Sequence, residues 1–436
     1  MSILVKAASW LTSLFRESKP RVINLPYNPP RDEEDARTER RPLAPDEESS
    51  IPASKLSVNN GVDRRTVLQA FDASRPISGR SQLFGRQREI EALLLAVFDY
   101  HQHAVVYGAR GSGKTSVARV FGDFADQCGA VVLYFPCQPE ANFAQLMGAL
   151  IDGLPPTAIA PQERPIFNSR LQNLPAHFGP SSFVDLVAQA VARPVVLILD
   201  EFDRITDDKT KTDIAVAMKL LSDTHAAIRI MLVGIASSVS DILDAHPSLR
   251  RHIAVTRIGR IEPTSVKALI ANGEAVTGLP FSEEARSIVE RVSMGSPYHV
   301  RLLCRQAALK AYNRRASEVS STDVRAGLAE VVELWAATNP ADANRFLSVA
   351  LDPFLQPELE KIAREAAMKD QFAADSSSSN ALAMLRDSVV PSAHAEGYWA
   401  FADSLAPQFL VAATVLAESD AAQIRHQEGS LDVAAQ

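Results

Sequence analysis

Five short, continuous apolar runs constrain this chain more than any other feature. They are His103–Gly108 (HAVVYG), Ala130–Pro136 (AVVLYFP), Pro194–Asp200 (PVVLILD), Ile228–Ala236 (IRIMLVGIA) and Ile253–Ile258 (IAVTRI). Their length suits buried strands, and helical patterns such as Thr212–Leu221 (TDIAVAMKLL) lie between them. A strand apolar on both faces must be covered on both faces, and strands that alternate with helices run parallel. The expectation is an α/β fold on a parallel five-stranded sheet.

The 436 residues leave room for roughly two to four domains. With 46% hydrophobic and 22% charged residues, the composition supports a core and excludes a wholly disordered chain or a coiled-coil rod. A net charge of −7 excludes a generally basic nucleic-acid coat. Cys128, Cys137 and Cys304 form no CxxC pair, which argues against a disulfide scaffold and a cysteine zinc site. No run of about 18 apolar residues occurs, so no membrane-spanning helix is expected. A reducing, cytoplasmic setting is expected.

On a helical wheel, Ile3, Leu4, Ala7, Ala8, Trp10, Leu11, Leu14 and Phe15 fall on one arc, so residues 1–16 read as an amphipathic helix. It would dock on its own protein or a neighbouring subunit, or make peripheral membrane contact. Lys6 interrupts the apolar stretch and no A-x-A site follows, which argues against a cleaved signal peptide. Residues 17–70, rich in proline and mixed charge, read as a flexible linker. Residues 71–261 hold the α/β pattern. Strands then cease, and helical segments near 263–278, 282–294 and 298–313 define a helical region, 262–320. Residues 321–420 are mostly helical, with a short extended piece at Gly397–Phe401 and a loop at Ser376–Ser379. Residues 421–436 read as a tail.

The chemistry concentrates after the first run. Gly108, Ala109, Arg110, Gly111, Ser112, Gly113, Lys114 and Thr115 fit G-x-x-x-x-G-K-[ST], between a strand and a helix that begins near Ser116. Glycines let the backbone turn its N–H groups toward phosphate oxygens, and the helix adds its positive N-terminal end. Lys114 can reach the β- and γ-phosphates, and the Thr115 hydroxyl can ligate Mg²⁺. The third run ends in Asp200-Glu201. Asp200 would bind Mg²⁺ through water, and Glu201 would orient or activate the attacking water. Two acids on a run of aliphatics are expensive to bury without a cation or polar ligand.

These motifs resemble those of the AAA+ P-loop ATPases (ASCE class), nearest to the origin-recognition-type and STAND-like bacterial members. Phe84, Gly85 and Arg86, within Leu83–Ile90 (LFGRQREI), resemble the approach segment that cups adenine in that family. The fourth run takes the sensor 1 position; where the family often has Asn or Thr, Gly234-Ile235-Ala236 leads into Ser237-Ser238, and Ser237 is the candidate. Arg250 and Arg251 stand where an arginine finger often lies, acting in trans on a neighbour's nucleotide. Gly295–Arg301 (GSPYHVR) resembles the lid motif near sensor 2, with His299 or Arg301 as candidates. Gly397 to Leu416 resembles the hairpin and last helix of a winged helix. The resemblance implies a helical lid, a winged-helix-like C-terminal domain, and ATP and Mg²⁺ as cofactors.

Three readings follow from it. One is an ATPase that couples nucleotide state to homo-oligomerisation or partner remodelling. The others are a slow nucleotide-dependent switch and a DNA-bound initiator- or transposition-type ATPase. From residue 341 onward, six basic residues face 14 acidic ones, which favours a protein partner over DNA for the C-terminal domain. His101 and His103 share a strand face without an acidic or cysteine partner, so no metal site is read there.

Overall fold

The computed structural model describes residues 23–24, 63–77, 79–234, 247–373, 379–385, 387–392 and 396–419. The amphipathic segment 1–16, Ser237 and the tail lie outside them.

A twisted parallel sheet forms the centre. Its strands are β1 (Ile23–Asn24), β2 (His103–Tyr107), β3 (Val131–Pro136), β4 (Val195–Asp200), β5 (Ile228–Gly234) and β6 (Ile253–Arg257). Their spatial order is β1-β3-β4-β5-β2-β6, and every pairing is parallel. The five expected strands form, and a sixth, two-residue strand from the segment read as linker pairs with Leu133 and Tyr134 at the edge. β3, β4 and β5 alternate their side chains between two cores. Leu133, Leu197 and Ile230 face one; Tyr134, Ile198 and Met231 face the other. This two-residue period inside a continuous apolar run is what burial on both faces requires.

Between β1 and β2 lie α1 (Arg64–Ala70) and α2 (Gln87–Leu94), the latter continued by a π-helical turn at Leu95–Asp99. The sheet is covered by α3 (Lys114–Gln127), α4 (Phe143–Gly153), α5 (Arg164–Gln172), α6 (Pro180–Val187) and α7 (Asp208–Asp223). Sequence-local caps fix their starts. The Asn142 side chain accepts from the Gln145 N–H while Gln145 returns the bond, and Asp207 accepts from Lys209 and Thr210. The lid helices follow as α8 (Pro263–Thr277), α9 (Glu283–Ser293) and α10 (Pro297–Asn313). Then come α11 (Ser321–Thr338), α12 (Pro340–Ala350), α13 (Gln356–Lys369), β7 (Phe372–Ala373), α14 (Ser379–Leu385), β8 (Val389–Pro391), β9 (Tyr398–Phe401) and α15 (406–419).

The small antiparallel sheet has the order β7-β9-β8. The lid and the C-terminal helices share one continuous core, from Val266 through Val300 and Trp335 to Leu410. Trp335 stacks on Phe409 at 4.4 Å between centroids and on Phe346 at 5.5 Å. Arg291 of α9 donates to Glu360 of α13 and Glu418 of α15. The end of the segment read as linker is therefore more than a tether, because α1 joins this same core through Val67 and the following Phe71. Gly273 of α8 makes room for it: a Cβ there would lie 2.1 Å from the Phe71 ring. Among the described residues, no helix is long and apolar enough to cross a membrane.

Candidate nucleotide site

The phosphate loop connects β2 to α3. Gly108 has φ 157°, and a Cβ there would lie 2.2 Å from the Ile258 carbonyl oxygen. Gly111 and Gly113 sit at φ 76° and 94°, in the left-handed region. Gly111 passes beneath Tyr298 of α10 and Leu405, which a Cβ would meet at 3.2 and 3.4 Å. Any side chain here would strain or block the loop. Gly113 caps α3, so the orphan N–H groups of that helix face the cleft.

Lys114 folds back over the loop, donating from Nζ to the carbonyls of Gly108 (2.9 Å) and Ala109 (3.1 Å). Burial pulls its ammonium below lysine's ordinary value, while the charges of Asp203, Asp200 and Asp370 pull the other way. The Ser116 hydroxyl accepts from the Ile77 N–H at 3.1 Å and so anchors the approach segment.

Across the cleft, Asp200 ends β4 at 4% exposure. Its Oδ2 accepts from the buried Tyr134 hydroxyl and its Oδ1 from the Glu201 N–H at 2.9 Å. Glu201 stands at φ 55°, a left-handed conformation unusual for a glutamate. Arg204 donates to its Oε2 at 2.8 Å. β5 lies between β2 and β4, so the loop and the acids occupy the same end of the sheet, one strand apart.

Between them opens a cleft of about 1050 Å³. Arg110, Lys114 and Thr115 line it on the loop side, and Asp200, Glu201, Asp203 and Arg204 on the other. Its remaining wall comes from the C-terminal region: Asp370 and residues 401–404, Asp403 included. Two ties hold that wall. Arg257, at the end of β6, donates to Asp370 at 2.9 Å, and Arg260 donates to the Ala367 carbonyl at 2.9 Å. Burial lowers the Arg260 guanidinium to about 10.

Other expected residues take different places. Phe84 lines a narrow cavity with Ile77, Leu269 and Pro297 beside the loop. Gly85, at φ 67°, packs on Ser265. Arg86, expected at the adenine, is 3% exposed and donates to the carbonyls of Ser112 (3.1 Å) and Gly259; its guanidinium braces the loop from behind. His299, expected near the nucleotide, is buried. It meets the Ser296 hydroxyl at 2.9 Å through Nδ1 and packs edge-on against Phe409. Arg301 instead lines a second cavity beside Gly113 and Thr115, together with Tyr298 and Ile77. Arg250 and Arg251 lie in a 3-10 turn, Pro247–Arg251, before β6. That is the end of the sheet opposite the loop, since Ile253 pairs with His103.

Sequence reasoning missed Tyr134, Asp203, Arg204, Asp370 and residues 401–404. Asp203 and Arg204 lie two and three residues beyond the acidic pair and could have been found by proximity. The others are brought in by long-range packing.

A glycine loop capping a helix, opposed by a buried acid one strand away on a parallel sheet, defines a P-loop nucleotide-binding protein of α/β class. Residues 82–233 match the family model "AAA ATPase domain". No protein of curated function matches the sequence. Among solved structures, a Walker-type ATPase of Pyrococcus abyssi is 15% identical, covering 78% of this chain and 99% of its own at a TM-score of 0.49. Cdc6p of Pyrobaculum aerophilum is 14% identical over 81% of this chain and 98% of its own, with a TM-score of 0.45. The Aeropyrum pernix ORC2 protein is 16% identical over 81% and 98%, with a TM-score of 0.43.

Proposed function

We propose that the chain binds ATP with Mg²⁺, hydrolyses it, and uses the nucleotide state to set the position of its C-terminal domain. Through that domain it controls assembly with further copies or with a protein partner. The observation that carries this reading is the cleft's far wall, where the C-terminal region places Asp370 and Asp403 opposite the phosphate loop. Phosphates entering the cleft bring negative charge against these two acids, so nucleotide and closed wall oppose each other.

The donor set suits Mg²⁺. The Thr115 hydroxyl and the Asp200 carboxylate offer oxygen only, and no cluster of three or more His, Cys, Asp or Glu suited to a metal occurs among the described residues. Mg²⁺ held by few protein ligands keeps waters and phosphate oxygens, and when bound it neutralises phosphate charge. Lys114 leaves the Gly108 and Ala109 carbonyls for the β- and γ-phosphates, and the α3 N-terminus receives the same oxygens. Tyr134 holds the Asp200 carboxylate in place. Glu201 orients the attacking water and accepts its proton. Arg250 and Arg251 lie too far along the sheet to reach their own loop, so either acts only on a neighbour's nucleotide. Tyr298, Arg301 and Ile77 provide room for the base and ribose. The acidic balance of the C-terminal region favours a protein over DNA as its partner.

The test is the solution mass of Glu201→Gln, by chromatography with light scattering, with and without Mg-ATP. An ATP-dependent rise in mass, absent in Lys114→Ala, is expected. A monomer in both conditions would remove the arginine-finger role and leave a switch acting within one chain. Absence of ATP turnover by the wild-type protein would overturn the hydrolytic assignment.

A further inference from the structure

At the end of the sheet opposite the phosphate loop lies a separate cavity of about 320 Å³. It opens beneath the first residues of β4 and β5 and is closed on one side by the π-helical turn after α2. Its walls are mostly apolar, with Val97, Phe98, Val196 and Ala227 among them. Into this setting β5 brings Arg229. Ile228 and Ile230 face one core and Met231 and Val233 the other, so strand alternation turns Arg229 toward the side of Val97.

Arg229 is 9% exposed. Its Nη1 donates to the carbonyls of Ala226 and Ile228, but its buried Nε has no partner. Among the described residues no carboxylate pairs with it. Burial alone depresses its guanidinium, with no acid opposing the effect. A guanidinium cannot shed its proton to escape this situation. A buried charge is ordinarily matched by an opposite charge, and none of the described residues supplies that match here.

The neighbouring histidines do not supply it. His103, directly behind, is buried and neutral: its Nε2 meets the Met218 carbonyl at 2.7 Å, and its Nδ1 accepts from the Ile230 N–H at 2.9 Å. The positive charge of Arg229 is one reason its pKa falls to about 3. His101 and His225 also line the cavity. Both sit in left-handed backbone, at φ 53° and 52°. Each can add a donor toward an anion, and neither can provide a negative charge.

We propose that this cavity is a second ligand site, distinct from the nucleotide cleft, that takes a small apolar molecule bearing a carboxylate. The carboxylate pairs with Arg229 and the apolar body fills the space against Phe98, Val97 and Val196. The volume falls at the low end of the range for small-molecule sites, so a ligand of modest size is implied. Apolar walls disfavour a bare inorganic anion, which would lose its hydration without gaining apolar contact.

The test is calorimetric titration of the full chain with octanoate, and with octanamide as the neutral counterpart. Saturable octanoate binding is expected, with octanamide weaker by about tenfold or more, the scale of a lost charge-assisted pair. Arg229→Met should weaken octanoate to the same degree. It should keep or gain thermal stability, since it removes an unmatched buried charge. Ala227→Phe, which fills the cavity and leaves the guanidinium in place, should abolish binding and covers the case in which Arg229→Met fails to fold. Lys114→Ala should bind octanoate as the wild type does, separating this site from the phosphate loop. No saturable octanoate binding, equal binding of octanamide, or full binding by Ala227→Phe would each overturn the proposal.

Discussion

Arg257, the last residue of β6, donates to the carboxylate of Asp370, the residue that caps the C-terminus of α13, at 2.9 Å. This pair joins the nucleotide-binding sheet to the C-terminal region at the rim of the phosphate cleft. Both side chains are about two-fifths exposed, at 42% and 38%, so the bond itself adds at most about 1 kcal/mol to stability. Its larger effect is electrostatic, because it holds a carboxylate beside a cleft built for phosphate. Asp370→Asn keeps the left-handed backbone that Asp370 adopts at φ 62° and removes the charge. Affinity for Mg-ATP is expected to rise roughly twofold to tenfold, with little change in melting temperature. Titration with a fluorescent ATP analogue measures this, and unchanged or weaker affinity would show that the wall does not oppose the nucleotide.

Glu201 combines a strained backbone with a catalytic assignment, and two substitutions separate them. Glu201→Gln should bind Mg-ATP normally and turn it over about 10²–10⁴-fold more slowly. Glu201→Gly should lose turnover as well, yet gain about 1 kcal/mol in stability because glycine adopts φ 55° without strain. Turnover at the wild-type rate by the glutamine variant would remove Glu201 from the mechanism.

Gly273 tests the docking of α1. The Cβ of Gly273→Ala would collide with the Phe71 ring, and a loss of about 1–3 kcal/mol is expected in urea unfolding. Adding Phe71→Leu should recover part of it, because the double variant relieves the clash. If Gly273→Ala unfolds like the wild type, Phe71 does not occupy that position in solution.

His103 and His299 are both depressed to about 3, chiefly by burial and secondarily by the charges of Arg229 and Arg260. Their folded values lie below the ordinary 6.5. The unfolded chain therefore takes up protons that the native chain refuses as pH falls from 6.5 toward 3. Stability present above pH 6.5 is lost through that window. Asp123, raised by burial to about 6, acts in the opposite sense between its ordinary 3.8 and that value, and the two histidines outweigh it. Urea midpoints at pH 7, 6 and 5 should fall steadily, and less steeply in His299→Phe. Identical slopes would mean that His299 is protonated, or solvent-exposed, in the native protein.

The sheet and the loop were legible because their signals are local. A continuous apolar run reports burial on both faces, and the glycine spacing before Lys114 reports a phosphate cradle. Arg86 shows the limit of such signals: the motif around it says nothing of where its guanidinium points, and the fold turns it to the Ser112 and Gly259 carbonyls. Tyr134 was hidden within an apolar run, where its polar tip leaves no trace in the pattern. Asp370 and Asp403 reach the cleft only after a distant domain docks. α1 carries few apolar residues of its own, and its partners Phe281 and Gly273 lie on the far side of the whole sheet domain. Composition alone made that stretch read as linker.

The packing of Phe71 against α8 bears on how the chain is born. α1 leaves the ribosome before β2 to β6, yet the surfaces that cover Val67 and Phe71 arrive only after all the strands of the central sheet have been made. The helical body must close a long loop before it can gain stability, a slow step in folding. During synthesis the nucleotide-binding sheet has the opportunity to form first. Until the lid emerges, the early helix presents its apolar residues to solvent and to whatever chaperone meets the nascent chain.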